Sequence, residues 1–530
     1  MRIVAYIGVV LFQFYLTTYA LLPVKDFRVD DIEPEIKQIK SKSVVSDSFY
    51  QKSVKLKATT NANPQVIFTS LNNTQVLYTD SSNSIYYIYL TLEDSQGYHQ
   101  QFPLLMDTGS AVSWIFNQSC NVNSCQYGNV TKFDDDHAVS KGAQFSIVYT
   151  NDQVQGNYIS LGQNKIAMEL GNVTPEYKVG DLSLGITNDS PSLFDGFYVS
   201  GILGIVAGVN EENIISQMYN SGLINKKVFA LYLSSPGQVY KVDGTNGAAT
   251  VDNGLGGLVL FGQDVDDNTK TFVGENQVNY VNVIDSSNNY WLINITDTTV
   301  FNVQGEKQTN AIGSSRSAII DSGTTGIVFP FADALAIHKK LFGEKGFIYD
   351  QNGSFAFPCN NTGSTKIVFN VGGFELVLDG SNFKGQEYTI PSLSGYCASK
   401  IQGLDNYGNW VLGQAFLKSY YTIFDLESKR IGFADATLES FGVQFKDASQ
   451  NMSPTTSCSS SCVSITTASV TTFTTEKIPT TTTCTSISKN DNNTNTSHTT
   501  TSHKNGASRT TSFLGHLPII AALIASFLIL

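Results

Sequence analysis

The sequence predicts a mainly β protein built from two homologous lobes. Its 530 residues include 43 Gly, 25 Tyr and 32 Phe, whereas charged residues make up only 15%. This composition favours many short strands joined by tight turns. The length exceeds one average domain of roughly 150 residues, and a repeated pair of motifs, described below, divides the central part of the chain into two halves.

The net charge disfavours a nucleic-acid partner. The chain has 45 acidic and 33 basic residues, which gives a formal net charge of -12 and a pI near 5.0. A polyanion would therefore meet net electrostatic repulsion. We expect no nucleic acid among the partners.

Residues 1–20 have the pattern of a secretory signal peptide. Arg2 precedes an apolar run over residues 3–16, and Thr18-Tyr19-Ala20 supplies a small-x-small cleavage site. A membrane anchor is the alternative, but the run is shorter than the roughly 20 residues that a spanning helix needs. We therefore expect the chain to enter the secretory pathway.

The C-terminal part predicts a stalk followed by a lipid-attachment signal. Residues 446–505 are rich in Ser and Thr and have too few apolar residues to offset the entropy of ordering, so we expect an O-glycosylated stalk. Residues 506–530 end in an unbroken apolar stretch with no cation after it. Small residues around Asn505 and a polar spacer complete the pattern of a glycosylphosphatidylinositol signal, with attachment at Asn505. A single-pass tail anchor is the alternative.

The tripeptide Asn-x-Ser/Thr, the acceptor for N-linked glycans, recurs along the chain. We expect glycosylation only where the asparagine is exposed. The acceptors are Asn72, Asn117, Asn129, Asn172, Asn188, Asn294, Asn352, Asn360, Asn451, Asn492 and Asn495.

Seven cysteines suit an oxidising compartment. The four in the predicted body pair most simply as Cys120 with Cys125 and Cys359 with Cys397. Zinc ligation is the alternative, but no His neighbours them at metal-site spacing, so we expect no metal. The stalk has three more and therefore leaves one unpaired, from the set Cys458, Cys462 and Cys484.

Two segments share the pattern of an apolar strand that ends in Asp-(Thr/Ser)-Gly-(Ser/Thr). They cover residues 104–110 and 318–325 and contain Asp107 and Asp321. The glycine permits a sharp turn, and the hydroxyl residue can hydrogen-bond within the loop, so each carboxylate is held in place. One copy alone would be weak evidence, because such tripeptides are ordinary turn sequences.

A second repeated motif strengthens the interpretation. Gly204 of Ile202-Leu203-Gly204 lies 97 residues after Asp107, and Gly413 of Val411-Leu412-Gly413 lies 92 residues after Asp321. The alternative, core strands followed by turns, explains the apolar residues but not the similar offsets. The repeat implies two homologous lobes, each of which contributes one Asp to the seam between them.

With these motifs, the segment from Ser84 to Ala436 resembles the pepsin-like family of aspartic endopeptidases. Trp114 stands seven residues after Asp107, and the segments 228–235, 257–262 and 410–434 are similar to the interlobe and closing regions of that family. The resemblance implies a bilobal pepsin-like fold within residues 71–445, with an N-lobe over about 84–262 and a C-lobe over about 263–436. The signal, stalk and lipid signal resemble the fungal surface-anchored yapsins, with the barrierpepsins as neighbours.

The resemblance implies that Asp107 and Asp321 are catalytic and hold one water between them. Two carboxylates that share a site cannot both ionise cheaply, and pepsin is the standard example of such a pair. One Asp would activate the water and the other would donate a proton, with no cofactor. The residues expected to line the site beside them are Gly109, Ser110, Gly323, Thr324 and Thr325.

Residues 145–152 resemble the family's flap hairpin. Tyr149 stands where a ring closes over the substrate, and by resemblance its hydroxyl would hydrogen-bond Trp114. Thr150 and Asp152 replace two glycines of the usual flap. The carboxylate of Asp152 could favour Lys or Arg in a neighbouring substrate position; the alternative is a solvated Asp that does not touch the substrate.

Residues 21–70 are expected to form an inhibitory propeptide. In the resembled family a propeptide cation covers the catalytic carboxylates, and Lys52, Lys55 and Lys57 are the candidates. The usual Lys-Arg pair at the junction is missing. A disordered N-terminal arm is the alternative.

The sequence thus predicts a monomeric aspartic endopeptidase for protein or peptide substrates, anchored on the outer face of the plasma membrane or the cell wall. One alternative is a catalytically inactive pepsin-like glycoprotein, but Asp107, Asp321 and Tyr149 are all present. Another is a mucin-like adhesin, which explains the stalk but not the repeat.

Overall fold

The body of the chain is described by a computed structural model. The signal-peptide range, the stalk and Asn505 lie outside the described residues. The structure describes residues 66–68, 73–80, 84–93, 99–126, 130–134, 139–149, 152–161, 165–168, 176–179, 182–190, 194–208, 213–235, 237–242, 249–252, 254–285, 289–308, 312–405 and 408–444.

Strands predominate along the described residues, which confirms the mainly β prediction. The first half contains β1 (Val66–Phe68), β2 (Thr74–Thr79), β3 (Tyr86–Glu93), β4 (His99–Asp107), β5 (Ser113–Phe116), β6 (Val139–Tyr149), β7 (Asp152–Ser160), β8 (Ile166–Met168), β9 (Glu176–Val179), β10 (Leu184–Thr187), β11 (Gly201–Gly204), β12 (Val228–Leu233), β13 (Val239–Val242), β14 (Ala249–Val251) and β15 (Leu255–Phe261). The second half contains β16 (Asn279–Asn282), β17 (Leu292–Phe301), β18 (Lys307–Gln308), β19 (Arg316–Ile320), β20 (Ile327–Phe329), β21 (Ile348–Tyr349), β22 (Phe355–Pro358), β23 (Lys366–Val371), β24 (Phe374–Asp379), β25 (Lys384–Glu387), β26 (Tyr396–Ser399), β27 (Ile401–Gly403), β28 (Trp410–Leu412), β29 (Tyr420–Asp425), β30 (Arg430–Asp435) and β31 (Phe441–Val443).

The helices of the described residues are short. Within those ranges, none is long and apolar enough to cross a membrane. They are α1 (Asn123–Gln126), α2 (Ile214–Asn220), α3 (Gln263–Val273), α4 (Phe331–Phe342), α5 (Gly380–Phe383) and α6 (Gln414–Leu417), with a 3₁₀ turn at Pro391–Leu393.

The strands form one large sheet and three smaller ones. The large sheet runs β16-β30-β29-β12-β15-β2-β3-β4-β11-β5-β10-β7-β6, with β8 paired to β3 and β9 paired to β8. The second lobe has the sheet β24-β23-β17-β19-β28-β20-β27, with β18 beside β17, and the sheet β21-β22-β26-β25. Because β12 pairs with both β15 and β29, the large sheet joins the two halves of the chain.

The repeat in the sequence appears as a repeat in topology. In the first lobe β11 pairs in parallel with β4 and antiparallel with β5, and β5 pairs in parallel with β10. In the second lobe β28 pairs in parallel with β19 and antiparallel with β20, and β20 pairs in parallel with β27. The two Asp strands therefore occupy equivalent places, which confirms the bilobal fold.

Apolar strands and rings hold the large sheet together. Every residue of β12 is buried, and the rings of Phe229 and Phe424 stack at 4.7 Å between centroids. Phe272 of α3 stacks on Tyr421 at 4.8 Å. The two ring pairs belong to separate hydrophobic clusters, each of which includes residues from both halves of the chain.

A four-stranded sheet involves residues near both ends of the body. It runs β1-β31-β13-β14, and β31 pairs in parallel with its neighbours β1 and β13. β1 falls within the range predicted as propeptide. Phe441 of β31 is fully buried and contacts Tyr232.

Both disulfide bonds expected in the body are present. Cys120 is bonded to Cys125, and Cys359 is bonded to Cys397. The second bond joins the end of β22 to the neighbouring strand β26. It therefore closes a 38-residue separation within the second lobe.

His338 of α4 is buried in the second lobe as a neutral ring. It stacks on Phe355 at 4.0 Å, its Nδ1 lies 2.7 Å from the carbonyl oxygen of Ala334, and its Nε2 lies 2.9 Å from Ser399 Oγ. The Ser399 hydroxyl donates to Nε2 while it accepts the N–H of Ile401. A second ring proton would face that donor, and burial lowers the pKa of His338 to about 4.

We expect the free energy of unfolding to fall as the pH decreases from about 6.5 to about 4. The unfolded chain accepts a proton on His338 in that window and the folded site resists it, so folding loses up to about 3 kcal/mol. His338→Gln should flatten this dependence in urea unfolding, whereas His99→Gln, at an exposed position, should not. Equal pH slopes for wild type and His338→Gln would contradict the assignment.

Candidate active site

Asp107 and Asp321 lie at equivalent ends of two buried strands. Asp107 is the last residue of β4, and Asp321 directly follows β19. The backbone around both is fixed by the neighbouring motif strand, since Ile205 N–H donates to Asp107 O and Asp321 N–H donates to Leu412 O. Both side chains have no exposed surface.

Each carboxylate is held by its own loop in the same way. The N–H of Gly109 and the hydroxyl of Ser110 donate to Asp107 at 2.8 and 2.6 Å. The N–H of Gly323 and the hydroxyl of Thr324 donate to Asp321 at 2.7 Å each. These four donors orient the two side chains and stabilise negative charge on them.

The two loops bring the carboxylates face to face. A Cβ atom at Gly109 would lie 2.6 Å from Asp321 Cγ, and a Cβ atom at Gly323 would lie 2.5 Å from Asp107 Cγ. Only glycine therefore fits at either position, because any side chain would displace the opposite carboxylate. The reciprocal contact places 107 and 321 on one seam between the lobes.

Two hydroxyl residues, Thr108 and Ser322, join the two loops by hydrogen bonds across the seam. Thr108 Oγ1 donates to Ile320 O at 2.9 Å and accepts the N–H of Ser322 at 2.9 Å. Ser322 Oγ donates to Met106 O at 2.6 Å and accepts the N–H of Thr108 at 3.1 Å. We call this exchange the Thr108–Ser322 lock. It satisfies buried backbone groups of each lobe with side chains of the other.

The site shifts both carboxyl groups toward their protonated form. Burial raises the pKa of Asp107 well above its ordinary value, and the charge of Asp321 raises it further. Burial also raises the pKa of Asp321, although hydrogen bonds from Thr324 and other donors oppose the rise. The pair therefore retains a proton to higher pH than isolated carboxylates do.

Tyr149 connects the flap hairpin to the acidic pair. The N–H of the Trp114 indole donates to Tyr149 Oη at 2.8 Å, and this oxygen lies 3.4 Å from Ser110 Oγ, which itself donates to Asp107. β6 and β7 form the hairpin, in which Tyr149 pairs with Asp152. The strand register thus sets Tyr149 over the site, and burial raises its pKa above the ordinary value.

Two other residues predicted for the site are Thr325 and Asp152. Thr325 lies beside the seam and donates to Ser84 O at 2.6 Å, which joins the second loop to the start of the first lobe. Asp152 begins β7, and its side chain lies outside what the structure describes.

Three features of the site were not found from the sequence. Gln414 of α6 donates to Ser322 O at 2.8 Å, and Phe194 packs against the rings of both Trp114 and Tyr149. The third is a buried cluster in which Asp333 accepts from Arg316 Nε at 2.7 Å and from the Trp410 indole at 2.9 Å.

The Asp333 cluster supports the second Asp strand. Arg316 starts β19, Trp410 starts β28, and Asp333 lies in the first turn of α4. One carboxylate therefore joins three elements around the strand that leads to Asp321. In the sequence, an acidic residue in the first turn of an apolar helix could have suggested a structural ion pair, but it could not have identified the partners.

The arrangement suits general acid–base chemistry on a bound water. It offers two carboxylates that share a proton, neutral donors that orient them, and a hairpin Tyr above. Over the ranges that the structure covers, no group of three or more His, Cys, Asp or Glu side chains is placed to hold a metal ion.

Comparison with known proteins finds a matching family and relatives of this chain. A family model described as eukaryotic aspartyl protease matches residues 86–436. The chain is similar to aspartic-type endopeptidase ctsD of Aspergillus fumigatus, with 27% identity over 65% of this chain and 64% of that protein. It is also similar to cathepsin D of Dictyostelium discoideum, with 28% identity over 64% of this chain and 80% of that protein.

The match to a second fungal relative covers a smaller share of that relative's length. A probable aspartic-type endopeptidase CTSD of Arthroderma benhamiae is 28% identical over 63% of this chain and 58% of that protein. The chain therefore spans less than two thirds of the length of both fungal relatives.

We expect removal of either hydroxyl of the Thr108–Ser322 lock to destabilise the protein. Thr108→Val keeps the shape but leaves the buried N–H of Ser322 without its acceptor, which costs about 1–3 kcal/mol. Ser322→Ala likewise leaves the buried N–H of Thr108 without its acceptor. Because the two interactions form one unit, urea unfolding of the double variant should show less than the summed loss. Strict additivity would mean that the two hydroxyls act independently.

Proposed function

The chain belongs to the eukaryotic aspartyl protease family, whose model matches residues 86–436, and on this basis we propose that it is an acid-active aspartic endopeptidase. The observation that carries the proposal is the facing pair Asp107 and Asp321, each held by two donors of its own loop. The named activities of the fungal and Dictyostelium relatives support it.

The reaction follows from the shared proton. The ionised member of the pair accepts a proton from a water held between the carboxylates, and this water attacks the peptide carbonyl carbon. The protonated member donates a hydrogen bond to the oxygen that becomes negative. Tyr149 and Phe194 shield the site from solvent on the flap side, because both are buried against Trp114.

The raised pKa values set the pH range of this chemistry. The active form carries one proton on the pair, so its population falls once the pH exceeds the higher apparent pKa. Because burial raises the pKa of both carboxyls above 3.8, the one-proton form extends to higher pH than for two isolated aspartates. The folded state also binds this proton more tightly than the unfolded chain, so the pair's contribution to stability is lost as the pH rises through that value.

Peptide digestion across acidic pH tests the proposal. Wild-type protein should cleave a diverse peptide mixture, and a statine-type inhibitor should block it. Asp107→Asn should lower kcat/KM by a factor of about a thousand or more, equivalent to about 4 kcal/mol of transition-state stabilisation. The matched control is Asp285→Asn, which removes an exposed carboxylate paired with Lys429. Equal cleavage by Asp107→Asn and wild type would refute catalysis by the pair.

We further propose a preference for Lys or Arg in the substrate. Residues 66–444 have 36 acidic and 19 basic residues, so the body attracts cationic peptides. Asp152 starts β7 opposite Tyr149 in the hairpin, which brings its backbone to the flap tip. A carboxylate at that tip could bind a basic side chain by a charge-assisted hydrogen bond.

In the same peptide mixture, Asp152→Asn should reduce cleavage beside Lys and Arg and spare cleavage at apolar sites. Because the substitution removes only charge, kcat/KM for basic substrates should fall severalfold, by about 1 kcal/mol, mainly through KM. An unchanged ratio of basic to apolar cleavage would assign the preference to other residues.

Inhibition by the propeptide is a further proposal. The cations of residues 21–70 include Lys52, Lys55 and Lys57, close in sequence to the body, and the facing carboxylates at the seam are a natural anionic target. Protonation of the carboxyl groups in acid would weaken such an ion pair.

Secretion and lipid anchoring rest on the sequence patterns at the two ends, and we propose both. The signal-peptide pattern of residues 1–20 and the attachment pattern around Asn505 support a location on the outer face of the plasma membrane or in the cell wall. Phosphatidylinositol-specific phospholipase C should release the full-length protein from intact cells, and Asn505→Leu should abolish surface attachment. If wild type and Asn505→Leu both stay on the surface after phospholipase treatment, the anchor is a transmembrane peptide and not a lipid.

A further inference from the structure

Potential N-glycan acceptors in the two lobes differ in how available they are. In the second lobe, Asn294, Asn352 and Asn360 are exposed. In the first lobe, Asn117 is only 9% exposed and its side-chain oxygen accepts from the N–H of Ser119 at 3.0 Å. The oxygen of Asn188 accepts from the Ser119 hydroxyl at 2.8 Å. A glycan at Asn117 would have to displace this network, so we expect none there, whereas the Asn188 side chain is exposed like the three acceptors of the second lobe.

Asn360 differs from the other two exposed acceptors of the second lobe in that it lies next to a disulfide bond. It follows Cys359, which is disulfide-bonded to Cys397, and the backbone on either side is fixed by hydrogen bonds. Cys359 N–H donates to Gly395 O at 2.9 Å, and Asn361 N–H donates to Pro358 O at 2.8 Å. The acceptor therefore projects from a fixed turn at the end of β22.

A cavity of about 620 Å³ opens beside this turn. Its lining includes Thr362, Ser364, Lys366, Asp379 and Ser381. Thr362 is also the hydroxyl residue of the Asn360 acceptor tripeptide. Two residues of chain span at most about 7 Å, so a sugar attached to Asn360 reaches the mouth of the cavity.

The lining of the cavity suits a carbohydrate. Hydroxyls from Ser364 and Ser381 can donate and accept, Asp379 accepts and Lys366 donates, which matches the mixed donors and acceptors of a sugar. The Lys366 ammonium lies 4.5 Å from the centre of the Phe301 ring, which fixes its position at the wall. None of these residues takes part in the catalytic site.

We propose that Asn360 carries an N-linked glycan whose innermost N-acetylglucosamine residues lie in this cavity. The proposal rests on the secretory entry proposed above. In the secretory pathway, the Asn360 amide nitrogen attacks the anomeric carbon of an oligosaccharide that is linked to a lipid diphosphate. An N-glycosidic bond forms, the bond from that carbon to the diphosphate oxygen breaks, and the diphosphate leaves with one proton from the amide.

Asn294 and Asn352 serve as matched comparators. Asn294 projects from β17, on a sheet, and Asn352 lies in the turn before β22, where its N–H donates to Asp350. Neither residue lines the cavity or lies within two residues of one that does. Glycans at these positions should remain in solvent.

The test uses the full chain, secreted from a eukaryotic host that makes high-mannose glycans. Peptide mass spectrometry reads the occupancy of each acceptor, and an endoglycosidase that cuts between the first two sugars is applied to native and to denatured protein. Release at Asn360 in the native protein should be slower than at Asn294 and Asn352 by about tenfold or more, which corresponds to about 1.4 kcal/mol of retention. After denaturation, release at all three should be equal.

Ser364→Trp keeps the acceptor tripeptide and fills the cavity at an exposed position, so it should make the Asn360 glycan as sensitive as the others. Glycans at Asn294 or Asn352 but not at Asn360 would overturn the inference and leave secretion standing. Native release at Asn360 as fast as at the comparators would overturn the cavity contact. A chain with no glycan at any acceptor would overturn the inference together with secretory entry, and peptidase assays would report on the proposed activity separately.

Discussion

The seam between the lobes depends on the reciprocal exchange between Thr108 and Ser322. Each hydroxyl accepts a backbone N–H of the opposite loop and donates to a backbone carbonyl of the opposite strand. Because three buried polar groups of each side find their partners across the seam through four hydrogen bonds, the loops cannot separate without leaving these groups unpaired. The positions of the two carboxylates are a consequence of this constraint, since Asp107 directly precedes Thr108 and Asp321 directly precedes Ser322 along the chain.

Burial of two acidic groups is costly, and within the described residues this cost is offset without a salt bridge to either carboxylate. Four short hydrogen bonds from loop N–H groups and hydroxyls favour the charged form, while burial and mutual repulsion favour the protonated form. The balance leaves one proton on the pair. A salt bridge would remove that proton, so neutral donors are the support that general acid–base chemistry requires.

Repeated motifs made much of the fold and the centre of the site predictable. Asp107 and Asp321 share a local pattern and similar offsets to Gly204 and Gly413, and parallel pairing of β4 with β11 and of β19 with β28 produces those offsets. Contacts between distant residues were not predictable, because spacing does not reveal tertiary neighbours. Arg316 and Trp410 meet at Asp333 across 17 and 77 residues, and the neutral state of His338 depends on strands that follow it.

The pairing of β31 also determines how the body responds to mechanical load. β31 lies between β1 and β13 and runs parallel to both, so tension on the chain beyond residue 444 acts along the strand and shears several hydrogen bonds together rather than opening them in turn. Phe441 adds a buried ring that must slide past Tyr232. Force applied at this end of the body is therefore expected to load the sheet β1-β31-β13-β14 first, before it reaches the loops that hold the two carboxylates.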